Sequence, residues 1–109
     1  MIKGIELVKK KQGLSLDEFS SCWKERWAPL FLRAVPGVRR YVQNVALSLS
    51  DEEPAYDGIA ELWWDDLQAF QKAGQYLQSE TGEEWRTILD EFVELRQLVI
   101  VFVEERVIK

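Results

Sequence analysis

The sequence predicts an α+β domain in which two helical regions cover one face of a four-stranded antiparallel sheet. Segments with the period of a strand alternate with segments with the period of a helix, in the order β-α-β-β-α-β. The chain has 109 residues, which is the size of one domain. Its composition, 47% hydrophobic and 30% charged, is typical of a chain that folds. We therefore treat residues 1–109 as a single domain.

The first two elements are a strand and a long helix. Residues 2–9, IKGIELVK, alternate at close to period two and end at KKKQG. Ser15 is followed three residues later by Glu18, a capping box that predicts a helix running to about Arg33. The predicted buried stripe of this helix consists of Leu16, Phe19, Trp23, Trp27 and Leu30.

Two strands separated by a polar loop come next. The turn VPGV at 35–38 precedes VRRYVQNVALSL, residues 38–49, in which apolar and polar residues broadly alternate. The acidic, proline-containing stretch 50–58 predicts a loop, and GIAELWW at 58–64 predicts the third strand.

The last part of the chain contains the second helical region and a final strand. Asp65 or Asp66 is the predicted N-cap of a helix that is interrupted near Gly82 and then continues. Residues 98–103 are all apolar and rich in β-branched types, which predicts a strand buried on both faces. The complete order is that of a ferredoxin-like βαββαβ sandwich.

Two of the predicted strands carry apolar residues on both faces, whereas helices cover only one face of such a sheet. This holds for residues 98–103 and for Val45 to Leu47 in the second strand. We predict that a second copy of the sheet covers the other face, so that the protein is a homodimer.

Charge and hydropathy argue against several kinds of partner. The net charge is -5, and no basic stripe interleaves with aromatic residues, so we expect no nucleic-acid partner. The longest apolar run, 98–103, is too short to span a bilayer, and the N-terminal stretch does not have the apolar run of a signal peptide. We predict a cytoplasmic protein with no membrane partner.

The chain contains one cysteine and no histidine, which restricts its chemistry. Cys22 alone makes no internal disulfide, and it has no second soft ligand nearby, so we predict no metal site. An imidazole base, a Ser-His or Cys-His pair and a histidine-ligated zinc are all excluded. Any catalysis must use carboxylates, tyrosine, lysine, arginine or backbone groups.

Three stretches resemble one known family. FSSCWKERWAPL at 19–30, GVRRYVQN at 37–44 and DGIAELWWDD at 57–66 are similar, in this order, to the EthD family of dimeric α+β barrel proteins. The resemblance implies a ferredoxin-like fold, dimerisation through the sheets into a barrel, and a small apolar pocket between each sheet and its own helices. Relatives include enzymes that isomerise, cyclise or dehydrate small or aromatic metabolites, generally without a bound cofactor, and many members of unknown role. The resemblance therefore implies that no cofactor is needed.

The chain departs from the family pattern at one position. The residue before APL is usually histidine in the family, and here it is Trp27. An acid/base role of that imidazole is therefore not transferred to this chain.

Two glutamates are the candidate catalytic acids. Glu6 and Glu61 each lie among apolar neighbours in the strands expected to form the centre of the sheet. Burial there would raise the pKa of either carboxyl towards the range useful for general acid/base catalysis. Alternation places Glu61 on the face of Ile59 and Trp63, but it leaves open which glutamate faces the helices. The structural alternative is an ion pair with Arg39 or Arg40.

Two tryptophans on the first helix are candidate ligand contacts. Trp23 and Trp27 should face the sheet, either as core packing or as a stacking wall for a flat ligand. Arg26 lies on the flank of the same stripe, where it would reach a ligand carboxylate or pair with a surface acid. Cys22 lacks a neighbouring base and is expected to pack as a small apolar residue.

The second strand supplies three polar candidates. Tyr41 and Gln43 share one face and Asn44 lies on the other. Tyr41 is a candidate donor to a ligand carbonyl, stabilising negative charge as it develops. Gln43 and Asn44 are candidate ligand-binding residues.

The sequence leaves three functions open. The first is binding of a small apolar or aromatic metabolite, with cofactor-independent isomerisation, cyclisation or dehydration that uses Glu61 or Glu6 as base. The second is a non-catalytic binding or accessory protein in which Trp27 has replaced the family histidine. The third is a cofactor-free monooxygenase.

Overall fold

The structure is a computed structural model that describes residues 1–109. These residues form one sheet with helices on one of its faces. The strands are β1 (Ile2–Val8), β2 (Val38–Val45), β3 (Gly58–Trp64) and β4 (Val99–Val103). The helices are α1 (Leu16–Ser21), α2 (Ala28–Ala34), α3 (Leu67–Gln78) and α4 (Glu83–Phe92). A π-helical segment, Cys22–Trp27, joins α1 to α2, and short 3₁₀ turns lie at Glu80–Gly82 and Leu95–Gln97.

The sheet has the strand order β2-β3-β1-β4, and all neighbours are antiparallel. This confirms the predicted α+β sandwich with β1 and β3 at its centre. Register places one row of side chains across the sheet, on the face towards the helices, in the order Gln43, Ala60, Glu6, Ile100. Glu61 pairs with Ile5 and so points to the opposite, outer face.

The first helical region begins as predicted. The backbone N–H of Glu18 donates to Ser15 Oγ at 3.0 Å, and the backbone N–H of Ser15 donates to Glu18 Oε1 at 3.0 Å. These two bonds form the capping box, which satisfies two of the donors that a helix N-terminus leaves unpaired. The second helical region begins with α3, which is capped by Asp66, whose Oδ1 accepts from the N–H of Ala69 at 2.8 Å.

The predicted stripe of the first helical region is wrong at its C-terminal end. Leu30 is only half-buried, and Phe31 is the core residue. The reason is the π-helical segment, where the N–H of Ala28 bonds to the carbonyl of Trp23, five residues back. This wider turn holds one more residue than an α turn, so core positions recur every four residues. The resulting stripe is Phe19, Trp23, Trp27, Phe31 and Val35.

Two strands differ from their predicted forms. β2 ends at Val45, and the apolar residues Leu47 and Leu49 beyond it are 73% and 86% exposed. β4 pairs only with β1, and side chains on both of its faces are partly exposed within one chain. Its Val101 is 46% exposed on the outer face, and Ile100 is 44% exposed on the helix face.

The centre of the core is aromatic. Trp23 packs over the start of β3, where a Cβ on Gly58 would lie 2.7 Å from Trp23 Cζ3. Phe19 and Phe92 pack beside it, with ring centroids 5.9 Å apart. Glycine at position 58 is therefore what lets the first helical region lie this close to the sheet.

None of the helices is both long and apolar enough to cross a membrane.

Candidate functional site

A cavity of about 200 Å³ lies between the helices and the sheet face that they cover. Fifteen residues line it, and twelve of these are hydrophobic. An apolar cavity of roughly 150 Å³ is enough to hold benzene in a protein interior. The cavity therefore has the size and the lining for a molecule built on one ring.

The deep wall of the cavity is formed by aromatic side chains from the π-helical segment and α2. Trp23, Trp27 and Phe31 all line it. Trp27 stacks on Phe31 with ring centroids 5.6 Å apart and meets Trp85 edge-on at 5.4 Å. Trp23 and Trp27 thus combine core packing with a position at the cavity, since both belong to the buried core and both line the cavity. Ligand binding by them stays a prediction.

Glu6 is the only titratable residue that lines the cavity. It projects from β1 beside Ala60, whose small side chain leaves space next to the carboxyl group. The Glu6 carboxyl makes no hydrogen bond or salt bridge with any other residue. Burial raises its pKa to about 7, because the apolar surroundings disfavour the charged form.

Glu61 has the opposite environment on the outer face. Lys3 Nζ lies 2.8 Å from Glu61 Oε1, and Asn44 Nδ2 donates to Glu61 Oε2 at 3.0 Å. These hydrogen bonds, Lys3 first, lower the pKa of Glu61. The expectation of a raised pKa is therefore wrong for Glu61, because a partner charge outweighs desolvation. Neither Glu61 nor Asn44 lines the cavity.

Lys3 is the centre of a charged cluster on the outer face. Its ammonium also lies 2.7 Å from Glu105 Oε2 and 4.6 Å from the ring centroid of Trp63. The Arg40 guanidinium lies 4.7 Å from the same centroid. Two cations and two carboxylates thus neutralise one another. The alternative of an ion pair with Arg39 or Arg40 is wrong for Glu61, because Glu61 pairs with Lys3 and Arg39 pairs with Asp65.

Tyr41 and Gln43 lie on the helix face, but neither of them lines the cavity. Gln43 Nε2 donates to Tyr41 Oη at 3.1 Å and to the carbonyl of Trp23 at 3.1 Å. The Tyr41 ring packs on Phe31, with centroids 5.1 Å apart. Burial, with a smaller contribution from the Glu6 charge, raises the pKa of Tyr41 to about 12, so the phenol keeps its proton at neutral pH.

Arg26 and Cys22 lie away from the cavity. Arg26 Nη1 lies 2.9 Å from Glu91 Oε2, and both side chains are about half exposed. Burial raises the pKa of the Cys22 thiol, which leaves it protonated and unreactive at neutral pH. Arg26 thus adopts the surface pairing that was the alternative to ligand binding.

Several cavity residues are missing from the sequence prediction. Phe31 is hidden by the π-helical segment, although its spacing of four from Trp27 is a usable signal. Leu98 and Ile100 line the cavity because β4 lies at its side, which depends on sheet order. Gly74 and Gln78 line it from α3, and the sequence marks Gly74 only as a weak point of that helix.

A larger but open depression, about 480 Å³, lies between the end of α2 and the start of α3. Its acidic residues already have partners. Asp65 pairs with Arg39 and Asp66 caps α3. The cavity beside Glu6 is therefore the better candidate site.

The fold and the cavity define a ferredoxin-like α+β protein with a small, single-carboxylate apolar site beneath its helices. A family model, the EthD domain, matches residues 11–86, which is well over half of the chain. The chain therefore belongs to the EthD family, as the sequence resemblance indicates.

Solved structures show the same fold. An EthD-like protein from Ralstonia eutropha superposes with a TM-score of 0.70 at 18% identity, covering 99% of this chain and 94% of that one. A dimeric protein of unknown function and ferredoxin-like fold from Bacteroides fragilis gives 0.64 at 14% identity, covering 95% of both chains. SnoaB, a cofactor-independent oxygenase from Streptomyces nogalater, gives 0.61 at 20% identity, covering 96% of this chain and 92% of SnoaB. No curated protein matches the sequence.

Proposed function

We propose that this protein binds a small, neutral ring compound and isomerises it by proton transfer without a cofactor, with Glu6 as the base. The observation that carries the proposal is the unpaired Glu6 carboxyl in a cavity whose lining is otherwise almost entirely hydrophobic. A carboxyl whose pKa is about 7 is present in both protonation states at neutral pH. It can therefore take up a proton and return it within one reaction cycle.

The chemistry fits a ring ketone whose double bond lies between the β and γ carbons. The Glu6 carboxylate accepts the α proton, and the electron pair of the broken C–H bond moves into a dienolate. The protonated Glu6 then returns its proton to the far carbon of the double bond. The product is the conjugated ketone, and no electrons are gained or lost overall.

Tyr41 is the proposed donor to the dienolate oxygen. Gln43 donates to Tyr41 Oη, so the phenol proton itself stays available for another acceptor. Because the Tyr41 pKa is about 12, the phenol stays protonated while it stabilises negative charge. Trp23 and Trp27 are the proposed stacking surfaces for the ring.

We also propose that the protein is a homodimer, in which the outer faces of two sheets pack together. The outer face exposes Ile59 at 41% and Val101 at 46% around the Lys3 cluster. Structural neighbours from Bacteroides fragilis and Thermobifida fusca are described as dimeric, which supports the proposal. The cytoplasmic location stays a prediction.

Non-catalytic binding is the second candidate, and the lining of the cavity favours it. Glu6 is the only titratable group there, and Trp27 occupies the position where the family usually has histidine. A binding protein would hold the same ring compounds and return them unchanged. The variant Trp27→His separates the two, since a gain of activity would indicate a lost catalytic site.

The test uses 3-cyclohexen-1-one, whose conversion to conjugated 2-cyclohexen-1-one is followed by ultraviolet absorbance. We expect catalysis by the wild type and a loss of about 10²- to 10⁴-fold in kcat for Glu6→Gln. The matched control is Glu61→Gln, a carboxylate on the other face of the sheet, which should keep kcat.

Binding is measured in parallel by quenching of tryptophan fluorescence. Binding without turnover by the wild type would identify a binding protein. Equal rates for the wild type and Glu6→Gln would refute the proposed base. Consumption of dioxygen together with the ketone would indicate oxygenase chemistry instead.

A further inference from the structure

The cavity opens to the surface along the seam between α3 and β4. Ile100 lines the cavity and is also 44% exposed, and Gln78 at the end of α3 lines the cavity and is exposed. Residues that touch both the cavity and solvent mark its opening. At one end of the seam Phe70 and Phe102 pack edge-to-face, with ring centroids 4.7 Å apart, and close it.

Gly74 lies in the middle of α3 and lines the cavity beside this opening. A Cβ built on Gly74 would meet no atom within 4 Å, so packing does not require glycine here. Its φ is not positive, so backbone conformation does not require glycine either. Glycine inside a helix is less favourable than alanine, because it loses more conformational freedom on folding.

Two other glycines show what a packing requirement looks like. A Cβ on Gly58 would lie 2.7 Å from the Trp23 ring, and a Cβ on Gly82 would lie 2.4 Å from the carbonyl oxygen of Tyr76. Gly74 differs from both, because no atom lies within 4 Å of the position of its missing Cβ and because Gly74 itself lines the cavity.

We propose that Gly74 forms the entrance to the cavity, and that the open space above it is the route by which a neutral ring compound reaches Glu6. The identity of the ligand rests on the proposed function, whereas the entrance rests on geometry alone. A side chain at position 74 would fill the seam between α3 and β4 and slow the exchange of any occupant.

The test measures the exchange of xenon, an apolar probe that enters dry protein cavities, by ¹²⁹Xe NMR. Xenon should enter and leave the wild-type cavity quickly. Gly74→Leu should slow this exchange by about tenfold, because the leucine side chain would fill the opening and leave the surrounding side chains close-packed. The matched control is Gln75→Leu, which adds the same side chain to an exposed position of the same helix.

The outcomes separate the entrance from the function. Unchanged xenon exchange in Gly74→Leu, or an absence of xenon uptake by the wild type, would overturn the entrance. Slowed exchange in a protein that never isomerises the ketone would support the entrance and refute only the proposed reaction. Thermal unfolding of Gly74→Leu checks that the variant is folded.

Discussion

At the scale of single residues, two glutamates in neighbouring strands have opposite electrostatic environments. Glu6 lines a mostly hydrophobic cavity and has no charged partner, whereas Glu61 lies 2.8 Å from an ammonium group. Burial raises the pKa of the first, and a hydrogen-bonded cation lowers the pKa of the second. The face of the sheet, rather than the residue type, thus decides which carboxyl is suited to proton transfer at neutral pH.

The raised pKa of Glu6 predicts a pH-dependent stability. In the folded state the group titrates near 7 instead of its ordinary 4.5, so the folded chain holds a proton that the unfolded chain has released. Its stabilising contribution is complete below pH 4.5 and is lost as the pH rises to about 7. The difference is about 3 kcal/mol, as an upper estimate.

Urea unfolding of the wild type and Glu6→Gln between pH 4.5 and 8 checks this prediction. The stability of Glu6→Gln relative to the wild type should increase across this interval and level off above pH 7. A constant difference would contradict the raised pKa. Glu61→Gln serves as control, because Glu61 has a lowered pKa and its contribution is lost as the pH falls.

At the scale of elements, the π-helical segment determines which residues reach the cavity. It contains one residue more than an α turn, so Phe19 and Phe31 both lie in the core. In a regular α-helix these two residues, twelve positions apart, would point in directions about 120° apart. Capping, turn and strand signals predict the order and most bounds of the elements, since these depend on local sequence. The only local signal of the extra residue is the spacing of four between Trp27 and Phe31, which a regular α-helix also allows, and this is why Leu30 rather than Phe31 is predicted in the core.

The candidate site is less predictable than the elements. The alternation of β1 places Glu6 and Glu61 correctly relative to their neighbours, but only strand order and helix placement reveal which of them faces the cavity. Ile100 and Gly74 lie far apart in sequence and meet the cavity only through tertiary packing. The surface pairing of Arg26 with Glu91 likewise depends on how α4 packs against the π-helical segment.

Deletion of Glu25 tests the π-helical segment. Glu25 is exposed, and its removal would turn the segment into regular α-helix while leaving later residues on the same face. We expect a folded protein with near-native circular dichroism. The matched control deletes Gln71, an exposed residue of regular α3, which should rotate Ala73 and Leu77 by about 100° away from the core and unfold the chain. If deletion of Glu25 unfolds the chain, the proposed effect of the extra residue in the π-helical segment is wrong.

Gly58→Ala tests the close approach of the first helical region to the sheet. The added methyl would lie 2.7 Å from Trp23, so the tryptophan and the helix must shift. We expect a loss of about 1–3 kcal/mol in the free energy of unfolding, measured with urea. Gly74→Ala is the matched comparison, where open space and helix propensity predict a gain of about 1 kcal/mol. A stability of Gly58→Ala equal to that of the wild type would refute the packing argument.

At the scale of the whole molecule, the sheet separates two surfaces of different composition. The helix face holds the cavity within one chain, and the outer face exposes apolar side chains around the neutral Lys3 cluster. An apolar sheet face of this kind is stabilised when a second copy covers it. Leu47 and Leu49 add exposed apolar surface beyond the end of β2.

The variant Val101→Lys tests the proposed dimer. A charge on the outer face of β4, beside Ile5 of the central strand β1, should convert the dimer to a monomer, as measured by light scattering during size-exclusion chromatography. The control is Leu32→Lys, a residue of α2 that is 50% exposed, which should leave the mass unchanged. A wild-type protein that is monomeric at micromolar concentration would refute the dimer.

Strand β1 belongs to both surfaces, because its even-numbered residues face the helices and its odd-numbered residues face outward. Substitutions along residues 2–8 should therefore fall into two interleaved groups with distinct phenotypes. Changes at Gly4, Glu6 and Val8 should alter ligand handling, whereas changes at Lys3, Ile5 and Leu7 should alter assembly. Substitutions in one seven-residue strand would thus report on two separate properties of the protein, and each property could change without the other.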